Sequence, residues 1–361
     1  MFEGLFSTTI WLNITSIYAL LYAIFLCSKS DNKLISGSNI TPIPLVIILL
    51  SIIYIGTRPL WCYSDSGLYS TMFNLVKSGV WPKIPGDEGE PFWFFIEYIC
   101  IDLTDASGWF TVITTVYILG MCIAAYRWFP KHFLLAIIFM FTAFSFWSFA
   151  TNGLRNGMAT SIAMFGLSFF CRTKKELVIG YALLVLASLT HKSCMLTIAA
   201  STAALFLKNT KINVSIWLFC IVLGLILQEQ FKSLFSWLID DGRMAAYLNA
   251  EVSKEEFSHT GFRWDFLLYS SLPILIGWYA ISKRKIEDKI YAFLLHTYIF
   301  SNAFWVLINT AAYSNRFAYL SWFLYPLVLI YPFCKFKFIQ NQSVVLGVLL
   351  IALTAFTYFM E

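Results

Sequence analysis

Long apolar runs alternate with short polar connections along almost the whole chain. The hydrocarbon core of a bilayer is about 30 Å thick, and a helix needs about 20 mostly apolar residues to cross it. We therefore predict an all-α fold, a polytopic membrane bundle of about twelve transmembrane helices. The runs fall at 7–27, 42–57, 108–126, 133–150, 157–171, 177–190, 193–207, 213–228, 266–281, 290–309, 317–334 and 343–360. Several are short, so broken or tilted spans are expected among them.

The basic residues of the short connections follow every odd-numbered span when the spans are counted in order. Cytoplasmic loops of membrane proteins are enriched in lysine and arginine, so this side is predicted to be cytoplasmic and both termini to lie outside. One wrong span would reverse the side of every later connection, so the agreement favours an even number of spans. The residues concerned are Lys29, Lys33, Arg127, Lys131, Arg172, Lys174, Lys175, Lys208, Lys211, Lys283, Arg284, Lys285, Lys335 and Lys337.

Two longer connections, 58–107 and 229–265, fall on the predicted outer side. The first contains an acidic turn at 86–90 and then an apolar piece at 91–101 that carries Glu97. This piece is too short to span a bilayer, so we predict an interfacial or re-entrant helix. The second connection has mixed charge, and we predict that it is partly helical and acts as a lid.

The composition excludes a soluble protein, because 59% of the 361 residues are hydrophobic and only 12% are charged. We predict a single transmembrane domain over residues 1–361. The eight cysteines are scattered without a Cys-x-x-Cys pair, which is typical of small hydrophobic residues and not of metal ligands or a disulfide framework. Walker, Rossmann, Ser-x-x-Lys and zinc motifs are absent from the sequence, so we expect no metal, no cofactor and no nucleic-acid partner.

One cation, Arg155, lies at the start of a helix that is otherwise suited to lipid. The N-terminus is the positive end of a helix dipole, so a guanidinium in the first turn is unfavourable unless an anionic group compensates it. Gly153, Gly157 and Ser161 recur every four residues and form a small-residue face that favours close helix packing. We therefore predict that this helix is enclosed in the bundle, with Arg155 facing a cavity.

The outer-side arginines indicate an anion site. Arg155, Arg263 and Arg316 lie near helix starts, where unpaired N–H groups bind anions, and the planar guanidinium fits phosphate oxygens. We predict that these three residues and Arg58 bind a phosphate or diphosphate. Each has a simpler explanation: Arg155 and Arg316 as interface cations, Arg58 as a cation at a helix C-terminus, and Arg263 as a solvated loop charge.

Three outer-side residues could take a proton from a hydroxyl group. His191 lies next to a predicted helix start, and the pKa of an imidazole lies near ambient pH. A capping histidine that bonds the loop backbone is an equally good explanation. Asp65 and Glu97 are the alternative bases or sugar-hydroxyl acceptors, although structural roles are more common for such residues.

Aromatic side chains are dense in the outer-side segments. An interfacial girdle explains most of them, and platforms for stacking sugars would explain the rest. They are Trp61, Tyr63, Tyr69, Trp81, the run Phe92–Phe95 and Trp109.

Four short motifs, in this order and with this hydropathy, resemble the EpsG branch of the Wzy-type polysaccharide polymerases. They are Asp65-x-x-x-Tyr69, Asn152-Gly-Leu-Arg155-Asn-Gly157-Met-Ala159, Thr190-His191-Lys-Ser193 and Asn315-Arg316-Phe-x-Tyr319. Two positions depart from the family pattern. Asn156 stands where the arginine motif usually has glutamine, and Lys192 stands where the histidine motif usually has proline.

The resemblance implies a glycosyltransferase that joins oligosaccharide repeat units carried on undecaprenyl diphosphate, at the outer face of a bacterial inner membrane. It implies an O-antigen or exopolysaccharide product, with a chain-length regulator and a flippase as partners. The arginines would stabilise the departing diphosphate, and His191 or a carboxylate would deprotonate the attacking hydroxyl. An activated donor needs no nucleotide, which fits the absence of cofactor motifs.

Two other functions stay open at the sequence level. A transporter or flippase of lipid-linked sugar would place ionisable groups near the bilayer midplane and show repeated halves, whereas here charge lies mostly at helix ends. An O-antigen ligase or a related transferase shares the diphosphate leaving group and is separated from a polymerase only by its products.

Overall fold

The structure is a computed structural model that describes residues 6–37, 41–82, 90–227, 230–231, 261–310 and 315–360. All regular elements in these ranges are helical. The helices are α1 (Thr8–Ser28), α2 (Asp31–Ser36), α3 (Ile43–Gly56), α4 (Ser64–Lys77), α5 (Pro91–Leu103), α6 (Ala106–Trp128), α7 (Phe133–Phe141), α8 (Phe144–Thr151), α9 (Leu154–Leu167), α10 (Lys174–Thr190), α11 (Met195–Phe206), α12 (Thr210–Ile226), α13 (Trp264–Trp278), α14 (Lys289–Leu307), α15 (Asn315–Trp322), α16 (Tyr325–Lys335) and α17 (Gln342–Met360). Each predicted apolar run coincides with one of these helices or with a consecutive pair.

Fewer membrane spans are found when the length of each helix in the structure is used in place of the apolar runs of the sequence. In the described part of the chain, six helical segments are long and apolar enough to cross a membrane, and a seventh arises if α7 and α8, bent by 71°, form one span. Helices α3, α11 and α12 are apolar but shorter. The all-helical membrane fold is therefore confirmed in its class, and the count of about twelve spans stays a prediction.

The chain, predicted as a single domain, divides into two compact units. One unit comprises Met1–Met195 and Ile330–Glu361, and the other comprises Leu196–Leu329. In the first unit, α9 packs between α6 and α10, α3 packs on α6, and α1 packs on α17. In the second unit, α14 packs against α12, α13 and α15.

Helix α9 is enclosed within the first unit, as its small-residue face predicts. Almost all of its residues are buried. The hydroxyl of Ser161 donates to the carbonyl oxygen of Tyr117 on α6 at 2.6 Å. A Cβ atom at Gly157 would lie 2.5 Å from the carbonyl oxygen of Phe149 on α8, so only glycine permits this approach.

The basic residues around α9 lie at opposite ends of the helix. At the C-terminal end of α9, the Arg172 side chain donates to the carbonyl oxygens of Ser168 and Arg127, and Arg127 pairs with Glu176 at 2.9 Å. These contacts join the predicted cytoplasmic connections. Arg155 lies at the opposite end of α9, so it lies on the predicted outer side.

The first outer connection holds two helices. Residues 91–101 lie within α5, which begins with proline at a first-turn position and buries one face against the unit. Its interfacial or re-entrant placement stays a prediction. Helix α4 precedes it and packs on α5 and α6, although the sequence pattern did not predict it. Most of the second outer connection, 229–265, lies outside the described residues, so the lid prediction stays untested.

Candidate functional site

The candidate site is centred on an ion pair between Arg155 and Glu90. Arg155 lies in the first turn of α9, and Glu90 is the residue that precedes α5. The guanidinium Nη1 atom lies 2.6 Å from the carboxylate Oε2 atom. Glu90 is only 5% exposed, and a buried charge is costly unless it is paired. Glu90 therefore supplies the negative charge that Arg155 requires at the positive end of the α9 dipole.

Tyr69 on α4 holds the other side of the guanidinium. The Nε atom of Arg155 donates to the Tyr69 hydroxyl at 3.0 Å, and the guanidinium carbon lies 5.5 Å from the centre of the ring. Burial raises the pKa of Tyr69, although the charge of Arg155 opposes the shift, so the phenol stays protonated. Arg155 is thus fixed in direction by one charged and one neutral partner.

The turn after α10 brings the histidine motif to the same carboxylate. The backbone N–H of Lys192 donates to Oε1 of Glu90 at 3.3 Å, and Nε2 of His191 lies 3.9 Å from the same oxygen. Four chain segments therefore meet at the ion pair: Glu90 before α5, Arg155 from α9, Tyr69 from α4 beside Arg155, and the His191–Lys192 turn beside Glu90.

His191 also has the capping geometry that the sequence left open. Its Nδ1 atom accepts the backbone N–H of Ser193 at 3.3 Å and lies 2.7 Å from the Ser193 hydroxyl oxygen. A backbone N–H can only donate, so Nδ1 carries the lone pair and the proton of a neutral imidazole is on Nε2. That proton faces Glu90, and the basic nitrogen faces Ser193.

Asp65 lies one helical turn before Tyr69 and on the same side of α4. Its side chain is partly exposed, and its backbone N–H donates to Oδ1 of Asn152 at 2.9 Å. Asn152 belongs to the arginine motif, at the junction of α8 and α9. Two motifs that are distant in sequence are therefore tied together by one hydrogen bond next to Arg155.

Arg58 is an internal cross-link. It is 1% exposed, and its guanidinium donates to the carbonyl oxygens of Ile55 and Thr151, at 2.8 and 3.3 Å, and to the Ser66 hydroxyl at 3.1 Å. Burial lowers the pKa of Arg58 to about 10, against the attraction of Tyr63, so the group remains protonated at neutral pH. This geometry favours a structural role over the predicted role in diphosphate binding.

The other predicted residues are placed as follows. Glu97 lies on the buried face of α5. Arg263 belongs to the second unit and pairs with Asp265 through two hydrogen bonds of 2.9 and 2.6 Å. Arg316 lies in the first turn of α15, also in the second unit, but its side chain is outside the described residues. The parts of Arg263 and Arg316 in anion binding stay predictions.

Several outer-side aromatics form a core. Trp93 and Trp109 are almost fully buried with their ring centroids 5.3 Å apart, and Phe73 stacks on Trp109 at 5.0 Å. Their burial explains these two tryptophans by packing, without a girdle or a sugar platform. Trp61 and Trp81 are exposed, as interfacial residues would be.

Sequence reasoning missed Glu90 as a site residue. It required an anion beside Arg155 but noted Glu90 only as the last member of the acidic turn at 86–90. The usable signal was local: Glu90 directly precedes proline and a long apolar helix, so it enters the fold with α5. Within the described residues, no group of three histidine, cysteine, aspartate or glutamate side chains is arranged to hold a metal ion.

Comparison with known proteins identifies the family. A family model described as the EpsG family matches residues 41–360. Searches of curated proteins and of solved structures gave no match. The family match covers most of the chain, includes all four motifs and confirms the resemblance seen in the sequence. On the evidence of this match, the chain belongs to the EpsG family.

Proposed function

We propose that this protein polymerises lipid-linked oligosaccharide repeat units. It transfers the growing chain from undecaprenyl diphosphate to an incoming unit that is itself carried on undecaprenyl diphosphate. Family membership supports a membrane protein of the polysaccharide-polymerase type. The observation that carries the proposal is the meeting of three motifs, represented by Tyr69, Arg155 and His191, at the ion pair between Arg155 and Glu90.

The proposed glycosyl transfer requires a cation near the departing diphosphate. The bond between the anomeric carbon of the donor sugar and the diphosphate oxygen breaks, and the diphosphate departs with the electron pair. A new bond forms from that carbon to a hydroxyl oxygen of the incoming unit. Arg155, at a helix N-terminus and with a fork of N–H donors, is suited to stabilise the charge that develops on the departing diphosphate.

The proton of the attacking hydroxyl goes to a base. His191 is the first candidate, because Nδ1 carries a lone pair and the Ser193 hydroxyl, 2.7 Å away, can pass a proton to it. Asp65 is the next candidate, since it is partly exposed beside Tyr69. Glu97 is the third, because it is buried on α5.

We place the reaction at the outer face of a bacterial inner membrane, towards the periplasm or the exterior. The support is the separation along α9: Arg155 lies at one end, and the basic group of Arg127 and Arg172 lies at the other. The product would be an O-antigen of lipopolysaccharide or an exopolysaccharide. A flippase would deliver the units, and a chain-length regulator would control the product.

The test is to incubate the purified protein with a defined lipid-linked repeat unit and to separate the products on a gel. A ladder of increasing length supports the polymerase. A single transfer to lipid A core would identify a ligase, and unchanged lipid would favour transport. Either of the last two results would overturn the proposal.

A further inference from the structure

In the structure, Glu90 already holds the guanidinium group that is proposed to bind the diphosphate. Arg155 is proposed to bind a diphosphate, yet its Nη1 atom is already 2.6 Å from a carboxylate oxygen of Glu90. A carboxylate and a phosphate oxygen use the same donors of a guanidinium in the same geometry. A diphosphate that engages Arg155 fully must therefore compete with Glu90.

Glu90 does not depend on Arg155 alone. Its second oxygen, Oε1, accepts the backbone N–H of Lys192 at 3.3 Å and lies 3.9 Å from Nε2 of His191. If Arg155 turns to another anion, Glu90 retains these contacts, and its negative charge then acts chiefly on His191. A neighbouring carboxylate favours the protonated imidazole, which is the form that His191 takes after it accepts a proton.

We propose that Glu90 is the resident anion of the Arg155 site. It holds the guanidinium in position, yields it to the diphosphate of the lipid-linked donor, and then stabilises the imidazolium of His191. This inference rests on the proposed function. It assigns Glu90 as a positioning residue that couples donor binding to proton removal.

The test is the substitution Glu90→Gln, which keeps the shape and one hydrogen bond to Arg155 but removes the competing charge. Hydrogen bonds to charged partners are roughly twice as strong as neutral ones. We expect Glu90→Gln to bind farnesyl diphosphate in detergent about tenfold more tightly than the wild type, or about 1.4 kcal/mol. We expect its turnover with the lipid-linked repeat to fall at least about tenfold, because the imidazolium loses its counter-ion.

A residue with only a structural role gives a different pattern. Its loss would weaken binding and turnover together and lower the melting temperature. Glu176→Gln is the matched control, because Glu176 pairs with Arg127 at 2.9 Å at the other end of α9 and glutamine preserves its capping box. Its diphosphate affinity should equal that of the wild type.

The outcomes separate the two proposals. If the wild type does not bind farnesyl diphosphate, or if Arg155→Lys binds it equally well, the proposed anion site is wrong. If the wild type binds through Arg155 but Glu90→Gln binds no more tightly, the inference about Glu90 is overturned. If Glu90→Gln does not fold, the diphosphate affinity of Glu90→Asp tests the inference instead, since the shorter side chain of aspartate weakens the ion pair with Arg155. Tighter binding than the wild type supports the inference, and equal or weaker binding overturns it.

Discussion

Replacing Arg155 with lysine tests whether the planar fork, and not the charge alone, serves the reaction. In the structure one guanidinium serves two groups, with Nη1 at 2.6 Å from Glu90 and Nε at 3.0 Å from the Tyr69 hydroxyl. Leaving the buried carboxylate of Glu90 without a cation would cost about 3–5 kcal/mol. A lysine ammonium keeps a positive charge beside Glu90 and avoids this cost. It cannot also reproduce a second, parallel bond to a diphosphate.

The expected loss is one charge-assisted hydrogen bond in the transition state, about 1.5–3 kcal/mol, or about 10- to 160-fold in rate. The assay is the initial rate of polymer formation by purified protein at low and at saturating concentrations of the lipid-linked donor. Because Arg155 is proposed both to bind the diphosphate of the donor and to stabilise it as it departs, kcat should fall and kcat/KM should fall further, whereas a rise in KM alone would mean that the fork only binds the donor. The matched control is Arg127→Lys, since Arg127 pairs with Glu176 at 2.9 Å at the other end of α9. Wild-type rates and polymer lengths for Arg155→Lys, at equal protein level, would show that Arg155 only supports the fold.

Four further predictions follow from the same structure. His191→Ala should lower turnover about 100-fold or more while diphosphate affinity stays nearly intact, and near-normal turnover would remove His191 as the base. Arg58→Met should destabilise the protein by about 3 kcal/mol or more, since buried acceptors lose their donor, but leave the diphosphate affinity of the folded protein unchanged. Gly157→Ala should lower the melting temperature, because its Cβ would lie 2.5 Å from a backbone carbonyl oxygen of α8 and the cost of overpacking, about 1–3 kcal/mol, exceeds the gain in helix propensity. Cysteine labelling from outside should reach a probe at Gly86 and miss one at Lys285, and the reverse pattern would overturn the predicted topology.

Features that depend on local sequence were predictable. Hydropathy runs identify the apolar helices, although not α4, because a helix that crosses a bilayer must be mostly apolar over about 20 residues. The spacing of Gly157 and Ser161 predicts the enclosed face of α9 because a four-residue repeat lies on one side of a helix. Both features can be predicted without knowing which distant segment of the chain packs against the helix.

Features that depend on distant partners were not predictable. Glu90 and Arg155 are neighbours only because α5 and α9 both pack against α10. Arg58 could be placed near the outer side, but its burial depends on carbonyl and hydroxyl groups of α4 and α8. Trp93 and Trp109 match an interfacial girdle in composition, and only their mutual packing shows that they form a core.

The backbone N–H of Lys192 shows a structural consequence of having lysine, and not proline, after His191. In the family pattern that this motif resembles, the residue in this place is usually proline, which has no N–H and could not donate to Glu90 as Lys192 does at 3.3 Å. The bond comes from the main chain, so any residue other than proline supplies it, and the lysine side chain is not needed. We therefore expect the identities of the residues at positions 90 and 192 to depend on each other among relatives. In relatives with proline after the histidine, we expect a carboxylate at the position of Glu90 to be rarer, or to be held by a different donor.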